Sequence, residues 1–252
     1  MWTLTFDSDE SANQFGLLVR IATAGNAQAQ YELGGMYQQG QVGRPSLLLI
    51  GQPDYQQACQ WFRRAAEQGH AEAQNSLGIR YNRGEGVPED HAEAVRWFMR
   101  AEAAGSTHAS VNLAMNLVRG LGVPRNIPEA LARFRAAAKL SDPLAPYHLA
   151  ALYQEGAGVA TDMNAAKLWY RRAAEQGFVP AQSMLGYINV TESGQANDLV
   201  EAYVWLSLAA DQGDADAQRN LAILAGKIEP AGRIEAQERI ASERRRQQGQ
   251  RG

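Results

Sequence analysis

Cysteine is almost missing from this chain: Cys59 stands alone among 252 residues. That excludes an internal disulfide framework and any metal site built from several thiolates. Histidine is scarce as well. His70, His91, His108 and His148 show no H-E-x-x-H or other ligand spacing, so a zinc site has no footing and no cofactor is expected. Long apolar runs are lacking. The run Leu47-Leu48-Leu49-Ile50 is far shorter than the roughly 20 residues a membrane helix needs. Neither sign of charge dominates, since 24 Lys and Arg against 27 Asp and Glu leave a net charge of -3. A slightly acidic balance argues against nucleic acid as the main partner. No G-x-S-x-G occurs, so a hydrolase elbow is unsupported. The opening MWTLTFDSDE lacks a basic segment followed by an apolar one. The expected compartment is therefore the cytoplasm, or the periplasm should a leader have been removed. What is present is globular in character, 45% apolar and 20% charged.

The chain repeats itself. Segments open at Gly69, Gly105, Ser141, Gly177 and Gly213, spaced 36 apart, and an earlier one at Gly25 carries eight extra residues. Leu33, Leu77, Leu113, Leu149, Leu185 and Leu221 form one column without exception. The residue after each is small: Gly34, Gly78, Ala114, Ala150, Gly186, Ala222. Trp61, Trp97, Trp169 and Trp205 share another column, with Arg133 in the remaining place. Self-similarity at such a period marks a repeat architecture.

Within a segment the periodicity is helical. Ala73, Leu77 and Tyr81 recur every four residues, and Ala94, Trp97, Phe98 and Ala101 fall at i, i+3, i+4 and i+7. Between these runs lies Gly84-Glu85-Gly86-Val87-Pro88-Glu89-Asp90. Gly84 suits a left-handed helix end, Pro88 stops continuation, and Asp90 can cap the next helix. Asp54, Asn126, Asp162 and Asp198 hold the corresponding place. The pairs Gly84-x-Gly86, Gly120-x-Gly122 and Gly156-x-Gly158 lack the preceding strand and third glycine of a dinucleotide loop, and read as helix-ending glycines.

Each segment is thus two antiparallel helices joined by a turn. Helices this short are marginal alone, so the pairs must stack on one another. The expected fold is an all-α right-handed solenoid of about six 36-residue repeats. Residues 1–24 form an N-terminal capping helix, with Phe15, Leu17, Leu18 and Ile21 as its apolar set. Residues 25–229 form the repeats, with an insertion at 41–53, and residues 230–252 form a C-terminal capping helix and basic tail. In the last helix Ile234 and Ile240 are expected to turn inward; Arg244, Arg245, Arg246 and Arg251 read as a frayed, solvated end. Leu47 to Ile50 are expected to fold back over neighbouring helices, and Cys59 to be a buried, inert thiol.

These columns amount to A-x-A-Q-x-x-L-G-x-x-Y-x-x-G-x-G-V-x-x-D-x-x-x-A-x-x-W-[FY]-x-x-A-A-x-x-G. The pattern resembles the Sel-1-like repeat (SLR) family, a relative of tetratricopeptide repeats, most closely over Ala71 to Gly105 and Ala145 to Gly177. The third unit departs with Arg133 for tryptophan and Leu117 for tyrosine, the fifth with Asn189 for tyrosine. The resemblance implies a non-catalytic scaffold or adaptor, bacterial in setting, that holds a partner protein or peptide on the first helices of its repeats. Alternatives are an immunity or inhibitor protein that occludes a toxin, a module for a small ligand or peptidoglycan fragment, and a groove enzyme using His108 or Glu155. No nucleic-acid partner is expected, and a monomer is favoured.

If Leu77, Gly78 and Tyr81 face the core, the outward positions of the second repeat include Asn75, Ile79, Asn82 and Arg83. The third repeat offers His108, Val111, Met115 and Arg119. Tyr31, Tyr147 and Tyr187 add amphipathic rings. Tyrosine and arginine dominate interface energetics, and methionine adapts to irregular surfaces. These eleven residues are the expected partner-binding groove, with an acidic group of the partner meeting Arg83 and Arg119.

Overall fold

The computed structural model describes residues 8–41, 52–140, 142–192 and 196–249. The Leu47–Ile50 run lies outside the described residues. Thirteen α-helices and no strand occur among those described. They are α1 (Ser8–Thr23), α2 (Ala27–Gln38), α3 (Tyr55–Glu67), α4 (Ala71–Arg83), α5 (His91–Ala103), α6 (Thr107–Arg119) and α7 (Ile127–Ala137). Then come α8 (Leu144–Glu155), α9 (Met163–Glu175), α10 (Val179–Glu192), α11 (Ala196–Ala210), α12 (Ala215–Ala225) and α13 (Pro230–Gly249). The helices form two compact units divided between Ala130 and Leu131, inside α7. In the first unit α1 packs on α2, α2 on α3, α3 on α4, α4 on α5 and α5 on α6; α4 also touches α6. In the second, α8 packs on α9, α9 on α10, α10 on α11, and α11 on both α12 and α13. The all-α reading and its helix pairs therefore hold.

Local sequence accounts for the helix ends. Asp54, Asp90 and Asp162 precede α3, α5 and α9, and each carboxylate accepts from the backbone N–H three residues on, at 2.9 Å. Asn126 does the same for α7 at 3.2 Å. Such caps satisfy donors that the helix itself cannot. Asp198 differs: α11 begins at Ala196, so this residue lies in the first turn instead of capping it. Four of the even-numbered helices, α2, α4, α6 and α12, have caps of their own. Asn26, Ser106 and Asp214 accept from Ala29, Ala109 and Ala217. His70 uses Nδ1 to accept from Ala73 at 3.2 Å, which leaves its Nε2–H to donate to Gln28 Oε1 at 2.9 Å.

The two glycines of the G-x-G turn do different work. Gly84 and Gly120 adopt φ of 64° and 70° and end α4 and α6 in the left-handed conformation. Gly86 and Gly122 are pressed against the start of the helix in the preceding repeat. A methyl group at Gly86 would lie 2.1 Å from the Tyr55 carbonyl oxygen, and one at Gly122 would lie 2.1 Å from that of His91. The small column is just as tight. A Cβ at Gly34 or Gly78 would fall 2.7 or 2.6 Å from the ring of Phe62 or Phe98, and one at Gly186 2.6 Å from Leu206.

A buried polar column completes the packing. Gln30, Gln74 and Gln182 are buried, and each Nε2 donates to a carbonyl in the last turn of the preceding helix. The acceptors are Ala22 at 3.0 Å, Ala66 at 3.0 Å and Ala174 at 3.1 Å. Buried amides need such partners, because an unpaired one costs about 1–3 kcal/mol.

The terminal helices depart from expectation. In α1, Ala22 is fully buried beside Ala29 and Leu33, and Phe15, Leu18 and Val19 pack on that cluster. Leu17 and Ile21 are exposed instead. In α13 the inward residues are Ala236 and Ile240, one turn apart, whereas Ile234 is 62% exposed. At 100° per residue, Ile234 cannot share a face with both. Arg251 lies outside the described residues, but the described part of the basic tail is tied down. Arg244 pairs with Asp211, Arg246 pairs with Glu175 at 3.2 Å and with Glu243 at 3.5 Å, and Gln247 reaches the Ala174 carbonyl at 3.4 Å.

Replacing Gly86 or Gly122 with alanine should therefore destabilise the protein by about 3 kcal/mol, since backbone must move. Gly105→Ala, at φ 93° with nothing within 4 Å, should cost only about 1–2 kcal/mol. Urea unfolding followed by helical dichroism distinguishes the two classes.

Candidate partner-binding surface

The first helices of the repeats, α2, α4 and α6 in the first unit, carry nine of the eleven expected groove residues. The structure sorts them. Asn75 and Val111 are 6% and 2% exposed, so they do not face outward as expected. Asn75 accepts from Asn112 at 2.8 Å, and Val111 joins the core. Asn82 and Asn116 exchange amide hydrogen bonds of 2.8 and 3.2 Å, and His91 Nδ1 lies 3.1 Å from the same Asn82 oxygen. These side chains bind one first helix to the next. Sequence spacing missed them because neighbouring first helices cover one edge of the supposed outward face.

Tyr31 is also engaged. Its ring stacks on His70 at 4.8 Å and 25° and lies 5.9 Å from Phe62. Burial, then the nearby Glu72 carboxylate, raises its pKa. His108 is exposed and sits 3.4 Å from Glu72, whose other oxygen accepts from Ser106 at 2.7 Å. The Ser106 hydroxyl donates to a carboxylate and caps α6, which is a structural arrangement.

What remains on this face is Ile79 and Met115, both partly exposed, with the exposed Arg83 and Arg119. Ile79 and Met115 are 36 apart in register, as are the two arginines, which end α4 and α6. Arg83 lies 4.0 Å from Glu85, a contact at the limit of an ion pair, and is 62% exposed. Arg80 pairs far more closely with Glu85 and is buried, its guanidinium 5.2 Å from the Tyr55 ring. Arginine in a last turn also suits the negative end of the helix dipole. The surface unit is thus an apolar strip flanked by two cations.

In the second unit Tyr147 and Tyr187 come together at one cavity of about 450 Å³. Tyr147 is wedged against His148, Tyr170 and Phe178, with ring centroids 5.2–5.6 Å away. Tyr187 is 49% exposed. Met184, Pro180, Asp214 and Asp216 line the same cavity, as do Ser183 and Asn220. The two aspartates were no part of the expected groove. Asp214 precedes α12 at the register position of Ser106 and His70, and Asp216 lies in its first turn at that of His108 and Glu72.

Among the described residues no group of three or more His, Cys, Asp or Glu is arranged to hold a metal. No helix there is long and apolar enough to cross a membrane. The second helices carry a further repeated contact: Arg64, Arg100 and Arg172 lie over Trp61, Trp97 and Trp169 at 4.5, 4.7 and 4.5 Å.

The family model of the Sel1 repeat matches residues 27–70, 71–106, 107–142, 143–178 and 179–214. The chain belongs to the Sel1 repeat family. Five repeats are matched where six were expected; the pair α12 and α13 lies beyond them. A solved structure of a protective antigen of uropathogenic Escherichia coli, displaying an SLR fold, is 31% identical with a TM-score of 0.58. The match covers 95% of this chain but only 57% of that one. A Sel1 repeat protein from Oxalobacter formigenes is 24% identical with a TM-score of 0.71, over 94% of this chain and 99% of its own. An immunity protein from Pseudomonas aeruginosa is 19% identical with a TM-score of 0.55, over 86% of this chain and 81% of its own. No curated protein matches in sequence. The fold is thus that of a Sel1 repeat solenoid, a scaffold that typically serves protein interaction without catalysis.

Cys59 is buried and donates to the Glu85 carbonyl at 3.3 Å. Desolvation pushes its pKa up from 9.0 to about 11, against the opposing pull of Arg80 and Arg63. The thiolate is the reactive form, so iodoacetamide should leave the folded protein unmodified at pH 8 and label it fully in denaturant. A folded-state pKa above the unfolded value stabilises the fold below about pH 9, and that contribution should fade as pH rises to about 11. Mass spectrometry and denaturation at stepped pH check both.

Proposed function

We propose that this Sel1 repeat protein is an adaptor that holds an extended or helical segment of a partner protein on its first helices. The observation that carries this reading is the face formed by Ile79, Met115, Arg83 and Arg119. The apolar pair is left partly open, and both cations reach solvent, Arg83 with only the Glu85 carboxylate at 4.0 Å beside it. An apolar centre beside arginines is the composition of an interface core with its rim. The partner segment would present an acidic group to Arg83 and Arg119 and an apolar side chain between them. Of the eleven candidate residues, Asn75 and Asn82 act by holding α4 and α6 together, and Val111 is buried in the core.

A second reading makes the partner a toxin or effector that the solenoid occludes. Its support is the likeness to the Pseudomonas immunity protein, which is a likeness of fold. Growth rescue on co-expression with a candidate toxin selects the second.

Arg83→Glu together with Arg119→Glu should weaken partner retention roughly tenfold or more, because like charges then meet across the interface. Helicity should be kept, and stability should fall only by about 1–2 kcal/mol, because both side chains are exposed and lose only their favourable place at the helix C-termini. Affinity capture from the native host with quantitative mass spectrometry is the measurement. A protein retained equally by both forms removes this face from the mechanism.

A further inference from the structure

The cavity of the second unit has a chemistry opposite to that of the Arg83–Arg119 face. Asp214 caps α12 through Oδ1 alone: Ala217 N–H donates to that oxygen at 2.7 Å and Ser183 Oγ at 3.2 Å. Oδ2 has no donor among the described residues. Asp216 pairs with Arg219, a contact between two exposed side chains on one helix, of the kind that contributes little and exchanges readily with solvent. Across the cavity stand Tyr147, fixed by its aromatic neighbours, and Tyr187, half exposed with its ring unstacked among the described residues. Pro180 and Met184 complete an apolar wall. No lining residue is cationic.

Each component selects for the same group. Carboxylates accept and cannot donate, so an occupant must bring hydrogen-bond donors, and their negative charge favours cationic ones. Tyrosine faces attract cations. An apolar wall beside them suits a methylene stem that carries its charge at the tip. A planar guanidinium meets all three conditions better than an ammonium, because it stacks on a ring while its edge donates to oxygen. We propose that this cavity is a docking pocket for an arginine side chain of the partner segment. The proposal rests on the adaptor reading and specifies its partner: a segment carrying arginine for the second unit as well as an acidic group for the first.

The test is an NMR titration of the full-length, methyl- and ring-labelled protein with three Gly-Ser heptapeptides, bearing at the centre two arginines, two norleucines or two glutamates. The arginine peptide should shift Tyr187 and Met184 resonances saturably and bind at least tenfold more tightly than either control. Asp214→Asn with Asp216→Asn should reduce that affinity at least tenfold; asparagine still caps α12, so the fold is kept. Tyr187→Ala, at an exposed position, should reduce it at least threefold. Equal binding of the norleucine or glutamate peptide would overturn the proposal. So would an arginine peptide that shifts neither residue, or unchanged affinity in the aspartate variant. Spermidine is the competing occupant: saturation by spermidine at the same resonances, with no peptide effect, would make the site one for small cations and sink the partner claim. Arg83→Glu with Arg119→Glu should leave the peptide titration unchanged. Loss of partner capture there and loss of arginine binding here are thus separate failures.

Discussion

Gly78 approaches the ring of Phe98 so closely that a single added carbon would stand 2.6 Å from it. Gly34 with Phe62 and Gly186 with Leu206 repeat the contact. A first helix without side chain at that point can press its backbone against the second helix of the pair, and the facing residue fills the space beside it. Phe62, Phe98, Phe134, Tyr170 and Leu206, at intervals of 36, are all fully buried or nearly so. Dispersion and burial at this one contact fix the distance within a pair. Once that distance is set, the turn that joins the helices has little freedom. Gly86 and Gly122 then bring successive pairs together with almost no gap.

Close backbone approach has a polar consequence. Carbonyls in the last turn of each second helix are shut away from water just where their helical donors run out. The glutamine column answers this need, reaching back eight residues from Gln30, Gln74 and Gln182. Where the third and fourth repeats have Ser110 and Pro146 at this position, that contact cannot form. Asparagines perform the matching task between first helices through Asn75–Asn112 and Asn82–Asn116. Much of the polar content on the first helices is therefore structural, and only the remainder is available to a partner.

That remainder differs between the units. One offers Ile79 and Met115 beside arginines; the other offers Tyr187 and Tyr147 beside aspartates. Column positions that are free of packing duty can drift in charge from repeat to repeat without disturbing the fold. A solenoid can thus read several kinds of side chain along one partner while its own core chemistry stays constant.

The amino-acid sequence alone determined the helix pairs, their period, the capping aspartates and the leucine and small-residue columns, because each depends on local hydrogen bonding or on a spacing that recurs. Tertiary structure decided what repetition cannot encode: which residues a neighbouring helix covers. Asn75 and Val111 share a spacing with exposed positions and are buried, Asn75 beside Asn112 of the next first helix, while Ile234 and Leu17 look apolar enough for a core and stay in solvent. That Asp214 and Asp216 line one cavity with Tyr147 and Tyr187 was invisible in the sequence, since it requires three helices to converge. Periodicity specifies the direction of a side chain about its own axis; only packing specifies what stands in that direction.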